Sequence, residues 1–313
     1  MTSNKVTVLV NAKAGQGNAP NLQRQIEDGC RARGLDAQLV AFDDGGQIAP
    51  AVQDALRAGT RTVVAGGGDG TVSAVAAALA GTDATLGVLP LGTLNHFAKD
   101  LKIPLELEGA LDVLQGGSTM AVDVGEVNGR VFINNSSLGL YPEMVLDRDQ
   151  QRSRLGRGKW PALAAAALHV LRRYPVMPLE VDLGDRTLRR RSPFVFIGNN
   201  NYAMEGFEIG SRASLADGRL SLYLSQHSGR FGLFALALRA LFRRLRQAGD
   251  FDMLSVRGLV ISTTRKTVRV SADGEVFSMR TPLRYSIRPL ALRVRVPAQR
   301  QSPPDARPST AGA

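Results

Sequence analysis

Short apolar runs alternate with helix-spaced segments through the first third of the chain. Residues 5–10 read as a buried strand that runs into a glycine-containing turn at 11–17. Over 21–33, Leu22, Ile26 and Cys30 recur at helical spacing, and Gly34 stops the helix. A short strand at 39–42, a helix at 48–58 closed by Gly59, a strand at 62–65, an alanine-rich helix at 72–79 and a strand at 85–89 follow. Strands and helices in alternation, joined by short loops, predict a parallel sheet covered by helices. Ligands of such sheets sit at the carboxyl ends of the strands.

The texture changes near Val122. From there to about residue 288, period-two runs dominate, at 130–134, 179–183, 194–197, 220–224, 259–263 and 267–272. This density predicts antiparallel strands in a sandwich or barrel. Two helical stretches interrupt it, at 160–173 and 231–247, and the Pro/Ser/Ala-rich tail 301–313 is predicted to be disordered.

Composition narrows the class. Apolar residues are 44% and charged residues 21% of 313, which supplies a globular core and excludes collagen, coiled coil and wholesale disorder. Cys30 is the one cysteine, so no intramolecular disulfide and no cysteine-rich metal site can form, in keeping with a reducing compartment. A membrane span needs about 20 apolar residues. The runs at 160–170 and 231–242 are shorter and end in arginines, and the first residues lack a signal-peptide pattern. The expected location is the cytoplasm or the cytoplasmic face of a membrane. Lysine plus arginine outnumber the acids 39 to 28, a net charge of +11, which favours polyanionic partners. At 5% aromatic content a single-strand nucleic-acid platform is not expected.

Three segments carry candidate chemistry. In Thr62-Val63-Val64-Ala65-Gly66-Gly67-Gly68-Asp69-Gly70-Thr71 a strand enters a triple-glycine turn and a helix leaves it. Glycines allow close approach of backbone to phosphate, and free N–H groups at a helix start bind anions. Asp69 does not attract phosphate by its own charge; it holds a bridging cation or orients the loop. The alternative is an ordinary strand–helix turn with an aspartate cap. Leu89-Pro90-Leu91-Gly92-Thr93-Leu94-Asn95-His96 repeats the arrangement after the next strand, which puts Thr93 and Asn95 beside the glycine turn; alone, it is a turn and helix cap. Ser271-Ala272-Asp273-Gly274-Glu275 and Ala216-Asp217-Gly218-Arg219-Leu220 are Asp-Gly turns that nothing local distinguishes from hairpins.

In this order, GGGDGT, LPLGTLNHFA, ADGRLSLYL and SADGE resemble the diacylglycerol kinase catalytic family, most closely the soluble bacterial lipid kinases related to sphingosine and ceramide kinases. The likeness runs from residue 5 to about 296. It implies an α/β plus β fold: an amino-terminal Rossmann-like parallel-sheet domain for ATP, a carboxyl-terminal antiparallel β-sandwich or barrel domain for lipid, and the active site in the cleft between. The implied division is 1–122 with 289–300, since the last strand returns to the first domain, then 123–288 and the tail 301–313. Asn11, Gly66, Gly67, Gly68, Gly70, Thr71, Thr93 and Asn95 would line the nucleotide. Asp69 would serve magnesium and the phosphates. Asp217, with the carbonyls of Ser214 and Arg219, would form a structural magnesium site. Asp273 would be the catalytic base and Glu275 its acidic partner. The implied substrates are ATP and a diacylglycerol-like membrane lipid, with Mg2+ as cofactor.

Two positions depart from the family. His96 stands where an aspartate usually follows the GTxN asparagine, and Ala41 lies near the place of a nucleotide-contacting threonine. His96 is either a weaker member of the magnesium network or a helix-surface residue. NAD kinases and phosphofructokinases share a GGDG-type loop, so an NAD kinase, or a catalytically weakened regulatory protein that binds nucleotide or lipid, are the alternatives. The basic stretch 147–173 and the helix 231–246, with Arg239, Arg243, Arg244 and Arg246, are expected to reach an anionic membrane surface, or else to pack a core with a solvated basic face.

Overall fold

The computed structural model describes residues 4–12, 19–139, 176–205, 208–225 and 251–298. Both basic stretches and the tail fall outside the described residues.

Four apolar strands, β1 (Lys5–Asn11), β2 (Asp36–Phe42), β3 (Thr62–Gly67) and β4 (Thr85–Pro90), pair in parallel in the order β2-β1-β3-β4. Helices α1 (Ala19–Ala32), α2 (Ile48–Arg57), α3 (Asp69–Leu79) and α5 (Leu107–Gly116) cover the sheet, and the short α4 (His96–Asp100) follows β4. Burial on both faces explains the continuous apolar runs: Val8, Leu9, Val64, Leu86 and Leu89 pack with Ile26, Val52, Val75, Leu79 and Leu111. Strand order reverses direction at β1 and β3, so the loops after these strands open a crevice at their carboxyl ends. The helix at the glycine turn begins three residues earlier than the apolar periodicity indicates. It takes in Asp69, Gly70 and Thr71 because Gly68, extended at φ −86°, serves as its N-cap.

The second half is antiparallel. Strands β7 (Asn135–Gly139), β10 (Phe194–Asn199), β13 (Leu220–Ser225), β14 (Phe251–Val256), β16 (Thr267–Ala272) and β17 (Glu275–Arg280) form a six-stranded sheet in the order β14-β13-β10-β7-β16-β17. A second core, with Leu138, Ile197, Leu222 and Val270 from this sheet, packs against Val181, Ile261 and Leu283. Those three come from β8 (Met177–Asp182), β15 (Gly258–Thr263) and β18 (Leu283–Val296), which continue the first sheet past β4 and out to the edge strand β9 (Thr187–Ser192). The result is the α/β plus β architecture expected from the resemblance. Strands β11 (Tyr202–Glu205) and β12 (Glu208–Arg212) form a separate two-stranded pair.

The 14-residue β18 serves both halves. Its end pairs in parallel with β4 at Arg293 and Val294, its start pairs with β15, and it runs antiparallel to β5 (Ser118–Val127) along nearly its whole length. The register breaks between Arg288 and Leu292, where Leu290 takes a left-handed φ of 51°. Asp123 supports this break. Its Oδ1 accepts from Leu290 N at 2.8 Å and its Oδ2 from Gly218 N at 2.7 Å, while its own N–H donates to the Leu215 carbonyl at 2.8 Å. Asp123 is 1% exposed. Asp123→Ala leaves two backbone donors without their acceptor, and a loss of about 1–3 kcal/mol in denaturant unfolding is expected. Asp123→Asn, which keeps one acceptor oxygen, should lose less.

Candidate active site

The Asp273-Gly274 turn is a two-residue hairpin between β16 and β17, with left-handed φ values of 48° and 87° at its two positions. This is the conformation for which Asp-Gly is selected. The turn also places a carboxylate. Asp273 Oδ1 accepts from the backbone N–H groups of Asn134 (2.8 Å) and Asn135 (3.1 Å). Its Oδ2 accepts from Ile133 N (2.8 Å) and from the Ser73 hydroxyl (2.7 Å). Ile133 and Asn134 link β6 (Arg130–Phe132) to β7, Asn135 opens β7, and Ser73 belongs to α3, the helix that starts at the glycine turn. Burial pushes the Asp273 carboxyl above its ordinary value, and the four hydrogen bonds oppose that shift without cancelling it. Glu275, exposed, reaches the same place: a methyl group built on Gly70 would lie 4.0 Å from its Oε1. The glycine turn and the acids of the late hairpin therefore share one crevice.

The two strand–loop–helix turns of the first half touch through their backbones. A methyl built on Gly92 would lie 2.5 Å from the Cα of Gly68. Asp69 Oδ1 accepts from His96 N at 2.8 Å, so the glycine-turn aspartate caps α4 from outside. His96 exposes its side chain; its backbone makes the contact. Asn95, buried and left-handed at φ 50°, donates to the Pro90 (3.2 Å) and Gly92 (2.8 Å) carbonyls and accepts from Gly92 N (3.1 Å). Its amide shapes its own loop. Thr93 is exposed, Thr71 is buried behind Gly67, and Asn11 ends β1 at the same edge. Gly66 and Gly67 close β3, and Gly70 is exposed at the first turn of α3.

Asp217, Ser214 and Arg219 lie at a separate turn before β13. The Asp217 side chain is exposed, and its N–H donates to Asn200 Oδ1 at 3.1 Å. The Arg219 carbonyl accepts from Asn200 N at 3.0 Å, and Ser214 Oγ accepts from Ala216 N at 3.2 Å. Asn199 links this turn to Asp273: its Nδ2 donates to the Asp123 and Ile133 carbonyls, both at 2.9 Å. Among the described residues no group of three or more acids, histidines or cysteines is placed to hold a metal. Magnesium is commonly held through one or two carboxylates, with water and substrate phosphates completing its shell. Asp69 and Asp217, each a hard oxygen donor, fit that habit.

Sequence reasoning missed a buried ion pair that seats α4. Arg212, whose side chain is 0% exposed, meets Asp100 at 2.7 Å and donates to the Ile133 (2.6 Å) and Asn199 (3.2 Å) carbonyls and to Asn134 Oδ1 (3.0 Å). Nothing in the sequence separates Arg212 from the other arginines. Asp123 did carry a signal, an acid inside the apolar run AVDV.

A family model described as the diacylglycerol kinase catalytic domain matches residues 5–127, and one described as the YegS C-terminal NAD kinase beta sandwich-like domain matches residues 144–296. A protein of Pseudomonas aeruginosa strain PAO1 named "Probable lipid kinase YegS-like" is 32% identical over 274 residues, 84% of this chain and 85% of that one. A relative of the same name from Enterobacter sp. strain 638 is 28% identical over 308 residues, 93% of this chain and 95% of that one. A solved Bacillus anthracis str. Sterne chain superposes with a TM-score of 0.74 at 21% identity, covering 95% of this chain and 96% of that one. Another from that strain, titled a diacylglycerol kinase, gives 0.69 at 18% identity, with 95% and 98% covered. These two share the fold.

The loop contact yields a contrast. Gly92→Ala drives a methyl into the Gly68 backbone and should cost about 1–3 kcal/mol in denaturant unfolding. Gly68→Ala meets the Gly92 Cα at 3.4 Å, at the edge of ordinary contact, and should lose less than Gly92→Ala, its cost being that of replacing glycine at the N-cap of α3.

Proposed function

The chain belongs to the diacylglycerol kinase catalytic-domain family of lipid kinases, and on that premise we propose that it transfers the γ-phosphoryl group of ATP to the hydroxyl of a diacylglycerol-like lipid. One observation carries the reading: the Ser73 hydroxyl, on the helix that begins at the glycine turn, lies 2.7 Å from Asp273 Oδ2 in the other half. The glycine turn and a carboxylate thus stand within one crevice. ATP phosphates bind at the amino end of α3, where backbone N–H groups and the helix dipole favour anions. Asn11, Thr93 and Gly66 to Thr71 bound that place. The lipid oxygen forms a bond to the γ-phosphorus as the bond to the ADP oxygen breaks, and the lipid proton passes to Asp273. A carboxylate has about four acceptor positions, and all four of Asp273 are engaged. Ser73 is the side-chain donor among them, so its hydroxyl is the one that yields to the incoming alcohol. Glu275 faces Gly70 on the same side of the crevice. Asp69 would hold magnesium, which when bound neutralises charge on the transferring phosphoryl group; Asp217 would hold a second, structural ion.

The reading extends to a membrane. Among the described residues no helix is long and apolar enough to cross one. Arg189, Arg190 and Arg191 are exposed on β9 at the sheet edge, and the chain carries +11. This charge supports reversible docking of a cytoplasmic protein on an anionic bilayer, where the lipid substrate resides.

Asp273→Asn should lower lipid phosphorylation by at least about a hundredfold while ATP affinity, read by calorimetry, stays near the parent. Near-normal turnover removes Asp273 as the base. Because burial raises the Asp273 carboxyl, the acid limb of kcat/KM should lie above the ordinary aspartate value of about 4. Activity is lost as pH falls through the raised value. Sedimentation with phosphatidylglycerol vesicles should be strong at low salt and lost at about 1 M salt, where charges are screened within a few ångströms. Equal binding to phosphatidylcholine vesicles would count against an electrostatic surface.

A further inference from the structure

The six-stranded sheet has an inner face, packed on the second core, and an outer face. Leu138, Ile197, Leu222, Val270 and Ala272 point inward. Their alternates point outward, and register aligns four of them in one row: Ser271 opposite Ser137, Ser137 opposite Phe196, and Phe196 opposite Tyr223. Phe196 and Tyr223 meet edge to face, with ring centroids 5.6 Å apart. The row thus changes from aromatic to hydroxyl as it approaches β16.

Those two hydroxyls are anomalous. Ser137 is 0% and Ser271 1% exposed, and neither side-chain oxygen has a hydrogen-bond partner. Buried polar atoms without partners are rare and costly. The neighbouring Ser136, on the inner face, donates to the Ser271 carbonyl at 2.8 Å and lies 3.1 Å from the Tyr285 hydroxyl. Ser136, on the inner face, is therefore satisfied within the protein. The two that are not lie side by side, on the face that carries Asn135 and leads to the Asp273 turn. Ser271 precedes Asp273 by two residues, about 7 Å along a strand. A diacylglycerol places its ester carbonyls a few bonds from its free hydroxyl, on that scale.

We propose that Ser137 and Ser271 hold the polar backbone of the acceptor lipid, their hydroxyls donating to its ester carbonyl oxygens while its free hydroxyl lies at Asp273. Phe196 and Tyr223 continue the row but are packed under Tyr202, so the polar backbone of the lipid is what the two serines address. This assignment rests on the lipid-kinase reading and makes the substrate class a lipid with ester carbonyls beside a free alcohol. Ether lipids, which lack the carbonyl, leave the two donors unpaired.

The test compares a 1,2-diacylglycerol with the matching dialkylglycerol, using the full-length protein and its Ser137→Ala, Ser271→Ala and double variants. The parent should favour the diacyl lipid in kcat/KM by roughly tenfold or more, and each single variant should lower diacyl kcat/KM by roughly threefold to tenfold. In the double variant the diacyl-to-dialkyl ratio should fall toward one, with KM for ATP unmoved. Thermal melting should not fall, because no bond of the free protein is removed. A parent indifferent to the carbonyl, or a double variant that keeps the parent ratio, overturns the assignment while leaving the kinase reading intact. So does a lowered melting temperature with equal losses on both lipids. Absence of phosphoryl transfer by the parent to either lipid removes the kinase reading and this assignment together.

Discussion

The Asp273 carboxylate is the point on which the two halves of the protein agree. Three of its donors are consecutive backbone N–H groups from the second half, and the fourth is a hydroxyl from the first. A carboxylate in such a place is costly unless its lone pairs are filled. Filling them fixes the distance between the hairpin turn and the start of α3, so the demand for satisfaction becomes a demand for geometry. A glycine turn at the end of β3 is a phosphate site in many folds; here the same helix is bonded to an acid that comes from 200 residues away.

The polar links behind that contact form one continuous set. Ile133 N meets Asp273, the Ile133 carbonyl accepts from Asn199 and Arg212, Asn199 reaches Asp123, and Asp123 holds both the Asp217 turn and the break in β18. Arg212 adds Asp100 and so fixes α4, whose first N–H is capped by Asp69. Two apolar cores hold the sheets together without specifying how they sit. Directional bonds to backbone groups supply that specification, since a shift of one residue leaves donors unpaired inside the protein.

Much of this was legible in the sequence where a periodic pattern carries it. The first three parallel strands, the glycine turn and the β16 strand follow from apolar runs bounded by glycine. The helix at the glycine turn reached further back than its apolar stripe, because its first turn is polar and faces the crevice. Strand β18 was legible only by resemblance, as its returning end; its register break at Leu290 depends on Asp123, 167 residues away. The Asp-Gly turn is the hairpin its local sequence reads as, and the left-handed backbone that the hairpin requires is what aims the carboxylate. Asn95 and His96 illustrate the limit. Their positions in the motif are plain, yet whether a motif residue offers its side chain or its backbone is decided by contacts that spacing does not encode.

The surroundings of Asp273 set opposing demands that bear on its proposed role as a base beside phosphate. Burial raises its carboxyl, which strengthens it as a proton acceptor, while four donors stabilise the anion and weaken it. In the proposed reaction the carboxylate would also be repelled by ATP phosphates, and the same donors would offset that repulsion. In the proposed reaction, exchange of one donor, the Ser73 hydroxyl, for a lipid hydroxyl would leave the anion's stabilisation nearly constant up to the moment of transfer. The proton would then move to an oxygen whose solvation by the protein has changed little, which is the condition under which a preorganised site keeps its reorganisation energy low.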